Sequence, residues 1–275
     1  MLFCLKNNIT VKFRNLKNKD LKSKNKIIPM INMSELSIIM PCYKGEEFIE
    51  HSIIEVEKVV SEFCNSFEVI VVVDGFVDKT YDIAKKLEEK FNNLKVVGYE
   101  ENKGKGYAIK YGLNFCEGKY VVFLDSDLEC RPETLKWFIE EIKKDNIDIV
   151  IGNRKDKKSI VKYPKLRKFL SYGFVFYVNL MFPELKIKDT QTGIKMFKRE
   201  VLKDLFEEFE KLNLPYRFSF DVSLLVLARR KGYTIKDSPC IVLKENHGNN
   251  LSGLKLINAI YKMGSDVIRL KMRLK

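Results

Sequence analysis

The stretch Tyr120-Val121-Val122-Phe123-Leu124-Asp125-Ser126-Asp127-Leu128-Glu129 decides how this chain folds. Its apolar run reads as a strand buried on both faces, and three carboxylates follow at alternating positions. If the backbone stays extended, alternate side chains point the same way and Asp125, Asp127 and Glu129 converge. The C-terminal end of a strand in an open α/β sheet is where such sheets bind ligands. Carboxylates gathered there are costly without a cation. An all-oxygen ligand set suits Mg²⁺ or Mn²⁺ bridging to phosphate oxygens. The alternative is a solvated acidic turn after an ordinary strand.

Outward from this strand the pattern is regular. Strands are expected at 36–40, ending at Pro41, and at 67–73, 94–97, 119–124 and 147–151. Helical spacing fills 46–63, 79–93, 105–116 and 132–145 between them. Strands alternating with helices of this length mean βαβ units, an α/β class and a mostly parallel sheet. After residue 152 the pattern changes. Residues 157–168 are basic, and 169–182 are apolar and aromatic. A basic flank entering a short aromatic helix suits a membrane interface, and it equally suits a helix that covers the core. A last helix, about 252–274, carries Lys255, Lys262 and Arg269 at heptad spacing, with Ile257, Ile260, Tyr261, Val267 and Ile268 on other faces. An amphipathic surface helix accounts for it, and docking on an anionic membrane is compatible.

The chain has 275 residues, 45% hydrophobic and 32% charged, which is globular and excludes wholesale disorder. Six cysteines lie scattered without a C-x-x-C pair, as reduced buried thiols do. With only His51 and His247, a histidine metal site is excluded. No apolar run reaches the roughly 18–20 residues that span a bilayer, and the N-terminus lacks the apolar core of a signal peptide. The net charge is +13, and residues 1–33 hold eight cations against Asp20. Such an excess serves an anionic partner or is a solvated tail. Met30 and Met33 allow an over-extended start. The expected organisation is a basic extension (1–33), one α/β domain (34–250) and a basic C-terminal amphipathic helix (251–275).

Three further groups sit at strand ends. Asp74, after the second strand, would accept from a base N–H or a ribose hydroxyl, or else cap the turn Asp74-Gly75. Asn102-Lys103-Gly104-Lys105-Gly106 places glycines and lysines at a helix start, a setting that favours anions. Gly152-Asn153-Arg154 puts a guanidinium at the sheet edge, for forked phosphate recognition or a surface ion pair.

In order, these segments resemble the family 2 glycosyltransferases of GT-A fold. The matching segments are Ser37-Ile38-Ile39-Met40-Pro41-Cys42-Tyr43, Val71 to Gly75, Asn102 to Gly106, Asp125-Ser126-Asp127 and Gly152-Asn153-Arg154. Arg167-x-x-x-Ser171, the string Asp189-Thr190-Gln191-Thr192-Gly193-Ile194-Lys195-Met196-Phe197 and Phe220-Asp221-Val222 resemble the polyprenyl-phosphate branch, which includes the dolichyl-phosphate β-glucosyltransferases. The chain departs from the pattern at Val73, Lys44-Gly45, Ser223 and Gly248-Asn249-Asn250, the last leaving Lys244 and His247 as nearby phosphate ligands.

The resemblance implies a GT-A fold, a Rossmann-like mostly parallel sheet flanked by helices, with C-terminal amphipathic helices. It implies transfer of a sugar, glucose or N-acetylglucosamine, from a UDP-sugar to dolichyl or polyprenyl phosphate with inversion. Donor binding falls to Pro41, Tyr43, Glu46, Val72, Asp74, Lys105, Asp125, Ser126 and Asp127. Catalysis falls to Asp125, Asp127 and Arg154, and Mg²⁺ or Mn²⁺ to Asp125, Asp127 and Glu129. Arg167, Ser171 and Lys195 would hold the acceptor phosphate. Arg167 and Ser171 share a helix face at i, i+4. The expected place is the cytoplasmic face of a membrane, held peripherally, with no nucleic-acid partner. Rival readings are a GT-A enzyme with another acceptor, a sugar-phosphate nucleotidyltransferase, and a non-catalytic lipid- or nucleic-acid-binding relative.

Overall fold

The computed structural model describes residues 35–144, 147–162, 165–216, 220–243 and 253–274. The element order is β1 (Leu36–Cys42), α1 (Ile49–Ser61), β2 (Phe67–Asp74), α2 (Thr80–Leu87), β3 (Leu94–Tyr99), α3 (Lys105–Leu113), β4 (Tyr120–Phe123) and α4 (Thr134–Ile142). There follow β5 (Ile149–Gly152), β6 (Ile160–Lys162), α5 (Lys165–Met181), β7 (Lys195–Lys198), α6 (Arg199–Lys211), α7 (Phe220–Arg230), β8 (Ile235–Ser238), β9 (Ile241–Leu243) and α8 (Gly253–Arg273).

Seven strands form one sheet in the order β3-β2-β1-β4-β7-β5-β8, and only β7 runs against the others. The α/β expectation holds. Alternation along each strand splits the core. Ile38, Met40, Val69 and Val71 face α1, α2 and α4, while Ile39, Ile70 and Val72 face α3, α6 and α7. Val72, expected at the donor, is thus a core residue: a Cβ added to Gly112 of α3 would lie 2.9 Å from its methyl.

The strand order reverses between β1 and β4, and ligands of open α/β sheets bind in the crevice at such a point. Pairing of β1 with β4 stops at Ile39–Phe123, apart from Leu124 N–H donating to Ile39 O (3.0 Å). Two residues on, Pro41 faces the same side with no N–H to offer, so the ladder cannot continue and the strands part. Contrary to the sequence reading, Pro41 does not end β1, which runs to Cys42 beside β2.

Beyond β5 the chain adds the small parallel pair β6–β9, and Cys130 bridges to Val242. Helix α5 begins four residues before the aromatic run, within its basic flank. It buries Ser171, Val175 and Val178 and leaves Tyr172, Phe176 and Leu180 at 43%, 72% and 66% exposure. Helix α8 buries Val267 and Leu270, while Ile268 and Met272 stay exposed. No helix among the described residues is long and apolar enough to cross a membrane. The five cysteines within them are buried and free.

Candidate active site

The crevice is built from loops at the ends of β1, β2 and β4. The first two loops are tied together. Gly45 N–H donates to Thr80 Oγ1 (2.8 Å), and Lys79 N–H donates to Glu46 Oε2 (3.1 Å). Glu46, expected at the donor, therefore braces the neighbouring loop. Burial pushes the Asp78 carboxyl up, but hydrogen bonds from Thr80 and Glu46 N–H outweigh it and hold it below the usual range. Lys44 turns the chain with φ +55°, and Tyr43 stands 46% exposed at the rim.

Asp74 is almost wholly buried, and its carboxylate faces the loop before α3. It accepts from Lys103 N–H (2.7 Å), Gly104 N–H (2.9 Å) and the Asn102 side-chain amide (2.9 Å). Gly104, at φ +96°, then enters the helix. So Asp74 neither stands open to a base nor merely caps its own turn: it shapes the Asn102-to-Gly106 loop. Asp74→Ala should weaken UDP binding by loosening that loop, which loses several hydrogen bonds to one carboxylate, each worth about 1.5–3 kcal/mol, and titration calorimetry would read the loss. An unchanged affinity would remove the loop from the donor site.

The acidic run does not continue extended. Leu128 N–H donates back to Asp125 O (3.0 Å) and Leu128 sits at φ +50°, so the chain turns and the period-2 convergence is lost. Among the described residues no three His, Cys, Asp or Glu side chains are gathered for a metal, so Asp125, Asp127 and Glu129 do not form one ready ligand set. Asp125 pairs with Lys105 Nζ (2.6 Å). Gly193 lies directly against it, and a Cβ there would overlap the carboxylate, which explains a glycine at that point of the Asp189–Phe197 string. Asp127 accepts from Glu129 N–H (3.0 Å). Burial raises its carboxyl, and the charges of Asp125 and Glu129 add to that. Ser126, buried between them, bonds toward the Cys42 thiol, which burial pushes up to about 11.

This like-charged pair of hard oxygen donors fits Mg²⁺ or Mn²⁺, which takes one or two carboxylates plus substrate phosphates. Asp125 and Asp127 would hold the ion. Burial pulls the Lys105 ammonium down, but the charges of Asp125 and Asp221 outweigh it and keep it protonated.

Two further cations expected at the site, Arg154 and Lys195, are paired with carboxylates. Arg154 is not a free fork at the sheet edge. Its Nε and Nη2 donate to the two oxygens of Asp189 (2.6 and 2.7 Å), and Nη2 also donates to Ser171 Oγ (3.2 Å). Both charges are buried, at 7% and 1% exposure. Lys195, expected at the acceptor phosphate, is 1% exposed and donates to Asp221 (2.7 Å) and Thr192 O (2.6 Å). Its surroundings make it a strut beneath the site. Arg167 lies on the backbone of α5 one turn before Ser171, and its side chain is outside the described residues, as are Lys244 and His247. Two partners went unassigned in the sequence reading, Asp189 and Asp221. The signal was present, since both stand in quoted strings, but no spacing shows which cation each would meet.

Comparison with known proteins identifies the family and the fold. Residues 37–206 match the model of "Glycosyl transferase family 2". A dolichyl-phosphate beta-glucosyltransferase of Dictyostelium discoideum is 28% identical over 253 residues, covering 86% of this chain and 74% of the relative. One from Trichomonas vaginalis is 31% identical over 245 residues, covering 86% and 72%. Glucosyl-3-phosphoglycerate synthase from Mycobacterium tuberculosis, solved with Mn²⁺, UDP and glucosyl-3-phosphoglycerate, shares the fold with a TM-score of 0.62 at 20% identity, over 86% of this chain and 80% of that one. With a crevice where the strand order reverses, neighbouring aspartates beside it and a family match over residues 37–206, more than half of its length, this chain belongs to glycosyl transferase family 2.

Proposed function

We propose that this glycosyltransferase moves a sugar, glucose or N-acetylglucosamine, from a UDP-sugar to dolichyl or another polyprenyl phosphate. The observation that carries the reading is α5. Ser171 ties its inner face to Arg154 in the crevice, while Tyr172, Phe176 and Leu180 line its outer face in an exposed apolar stripe. A helix that touches the catalytic network and offers apolar surface to its surroundings suits an acceptor with an anionic head and a hydrocarbon tail. The names of the similar transferases point the same way.

The acceptor is a phosphate monoester with a second pKa near about 6, mostly dianionic at neutral pH. Its oxygen needs no general base, so the scarcity of histidine is no obstacle. That oxygen bonds to the anomeric carbon on the face opposite the UDP. The carbon–oxygen bond to UDP breaks, its electron pair leaves with the β-phosphate, and the anomeric configuration inverts. Asp125 and Asp127 would hold a divalent ion, which would supply positive charge to the leaving diphosphate. Lys105 adds to the same field. In this reading the protein works at the cytoplasmic face of a membrane, held peripherally by the apolar stripe of α5 and the basic, partly apolar outer face of α8.

The deciding experiment incubates a panel of labelled nucleotide sugars with dolichyl phosphate, with and without metal, and extracts the organic phase. Label in the lipid phase from UDP-glucose or UDP-N-acetylglucosamine is expected. Equal transfer to 3-phosphoglycerate or a free sugar would overturn the lipid acceptor.

A further inference from the structure

The loop after β5 touches α5 through two successive contacts. The first is Arg154 with Ser171. The second is Lys155 with Tyr172, whose ring centroid lies 4.0 Å from the Lys155 ammonium. The turn beneath is held, because Lys155 N–H donates to the buried Asn153 Oδ1 (2.9 Å) and Ser159 Oγ donates to Asn153 O (2.7 Å). Lys105, Arg154 and Lys195 each lie within hydrogen-bond distance of a carboxylate. Among the described residues Lys155 forms no ion pair. Burial lowers its proton affinity and Arg154 adds to that, against the pull of Asp189 and Asp237. It is a partly desolvated cation with no carboxylate in contact among the described residues.

Its aromatic partner heads the exposed stripe. Tyr172, Phe176 and Leu180 follow at i, i+4 and i+8, so they share one face over about 12 Å of helix. A cation at the head of an apolar track is complementary to one chemistry, an anionic group on a hydrocarbon chain. Resting on the lipid-acceptor reading above, we propose that Lys155, carried on the Tyr172 ring, receives the acceptor's phosphate and that its first isoprene units lie along Tyr172, Phe176 and Leu180. Lys155 is then a specificity-determining residue for the acceptor. Tyr172 holds the ammonium in place and bounds the head-group end of the track.

The test uses the full chain with farnesyl phosphate as the acceptor. Lys155→Met keeps the alkyl stem on the ring and removes the charge. It should raise the KM for farnesyl phosphate roughly tenfold or more, the usual worth of one charge-assisted contact. The KM for the UDP-sugar and the melting temperature should stay put, and Lys155→Arg should restore most of the acceptor affinity. Phe176→Ser should weaken farnesyl phosphate and leave the inhibition constant of inorganic phosphate unchanged. An unchanged acceptor KM in Lys155→Met, or an equal loss of donor affinity, would overturn the proposal and make the contact a structural pin. Wild-type preference for 3-phosphoglycerate over farnesyl phosphate would instead overturn the lipid-acceptor reading itself.

Discussion

Asp127→Asn should leave a folded protein whose turnover is down by roughly 10²–10³-fold or more, the scale set by removing one charge-stabilising group from an active site. Asp127 lies at the crevice, exposed on its turn and outside the apolar clusters on either face of the sheet. Its removal therefore opens no cavity. The sign of the stability change can be worked out. Burial and the charges of Asp125 and Glu129 raise the carboxyl above its unfolded value. The native state then keeps the proton to higher pH than the unfolded chain does, so stability falls as pH rises between the two values and stays lowered above both. Asparagine removes that cost. The metal-free variant should melt at or above the wild-type temperature near pH 7.

The variant also separates a metal ligand from a structural carboxylate. Manganese with UDP should raise the melting temperature of the wild type by mass action and leave that of Asp127→Asn nearly unmoved. Full turnover of the variant, or of the wild type in excess chelator, would end the metal assignment.

The sheet was legible because buried parallel strands write themselves as apolar runs. Val69 to Val73 and Val121 to Leu124 have no polar interruption, and turn residues bound them. The antiparallel β7 was not legible: Lys195-Met196-Phe197-Lys198 is four residues long, with charge at both ends. Lys195, the first of its two lysines, is buried with Thr192 O and the carboxylate of Asp221, on a helix later in the chain, as its partners. The turn at Leu128 was hidden for another reason. Leucine at positive φ is no turn signal, and the strand pattern before it argued for continued extension. At the site the carboxylates and cations were found by type and by position at strand ends. Which charge neutralises which was not available, because pairing depends on elements brought together by the sheet order. Arg154 read as a phosphate ligand since the fork was visible and Asp189, thirty-five residues on, was not an obvious partner. Val72 shows the limit of motif transfer, since a matched segment includes residues that face the core.

The Arg154–Asp189 pair carries the second large effect, and here the loss is in the fold. Arg154→Ala should destabilise the protein by about 3–5 kcal/mol, because it leaves the Asp189 carboxylate buried without its counter-charge. In the wild type, burial pushes that carboxyl up, yet the hydrogen bonds and charge of Arg154 outweigh it and hold it below the usual range. The pair's contribution is therefore complete above the unfolded carboxyl value and drains away as pH falls through the lower native one. Urea melts of wild type and variant should converge toward acid pH and differ most near neutrality. Arg154→Lys should recover only part of the loss, since one ammonium cannot meet both oxygens of Asp189 and Ser171 Oγ as well. Replacing both partners, as Arg154→Met with Asp189→Leu, should return most of the stability, because an apolar pair carries no desolvation cost. It should not return activity. The forked pair fixes the loop after β5 against Ser171 of α5, and a greasy contact sets no such register. Recovery of turnover along with stability would show that the pair only fills space, whereas stability without turnover would show that its geometry sets the acceptor side of the site.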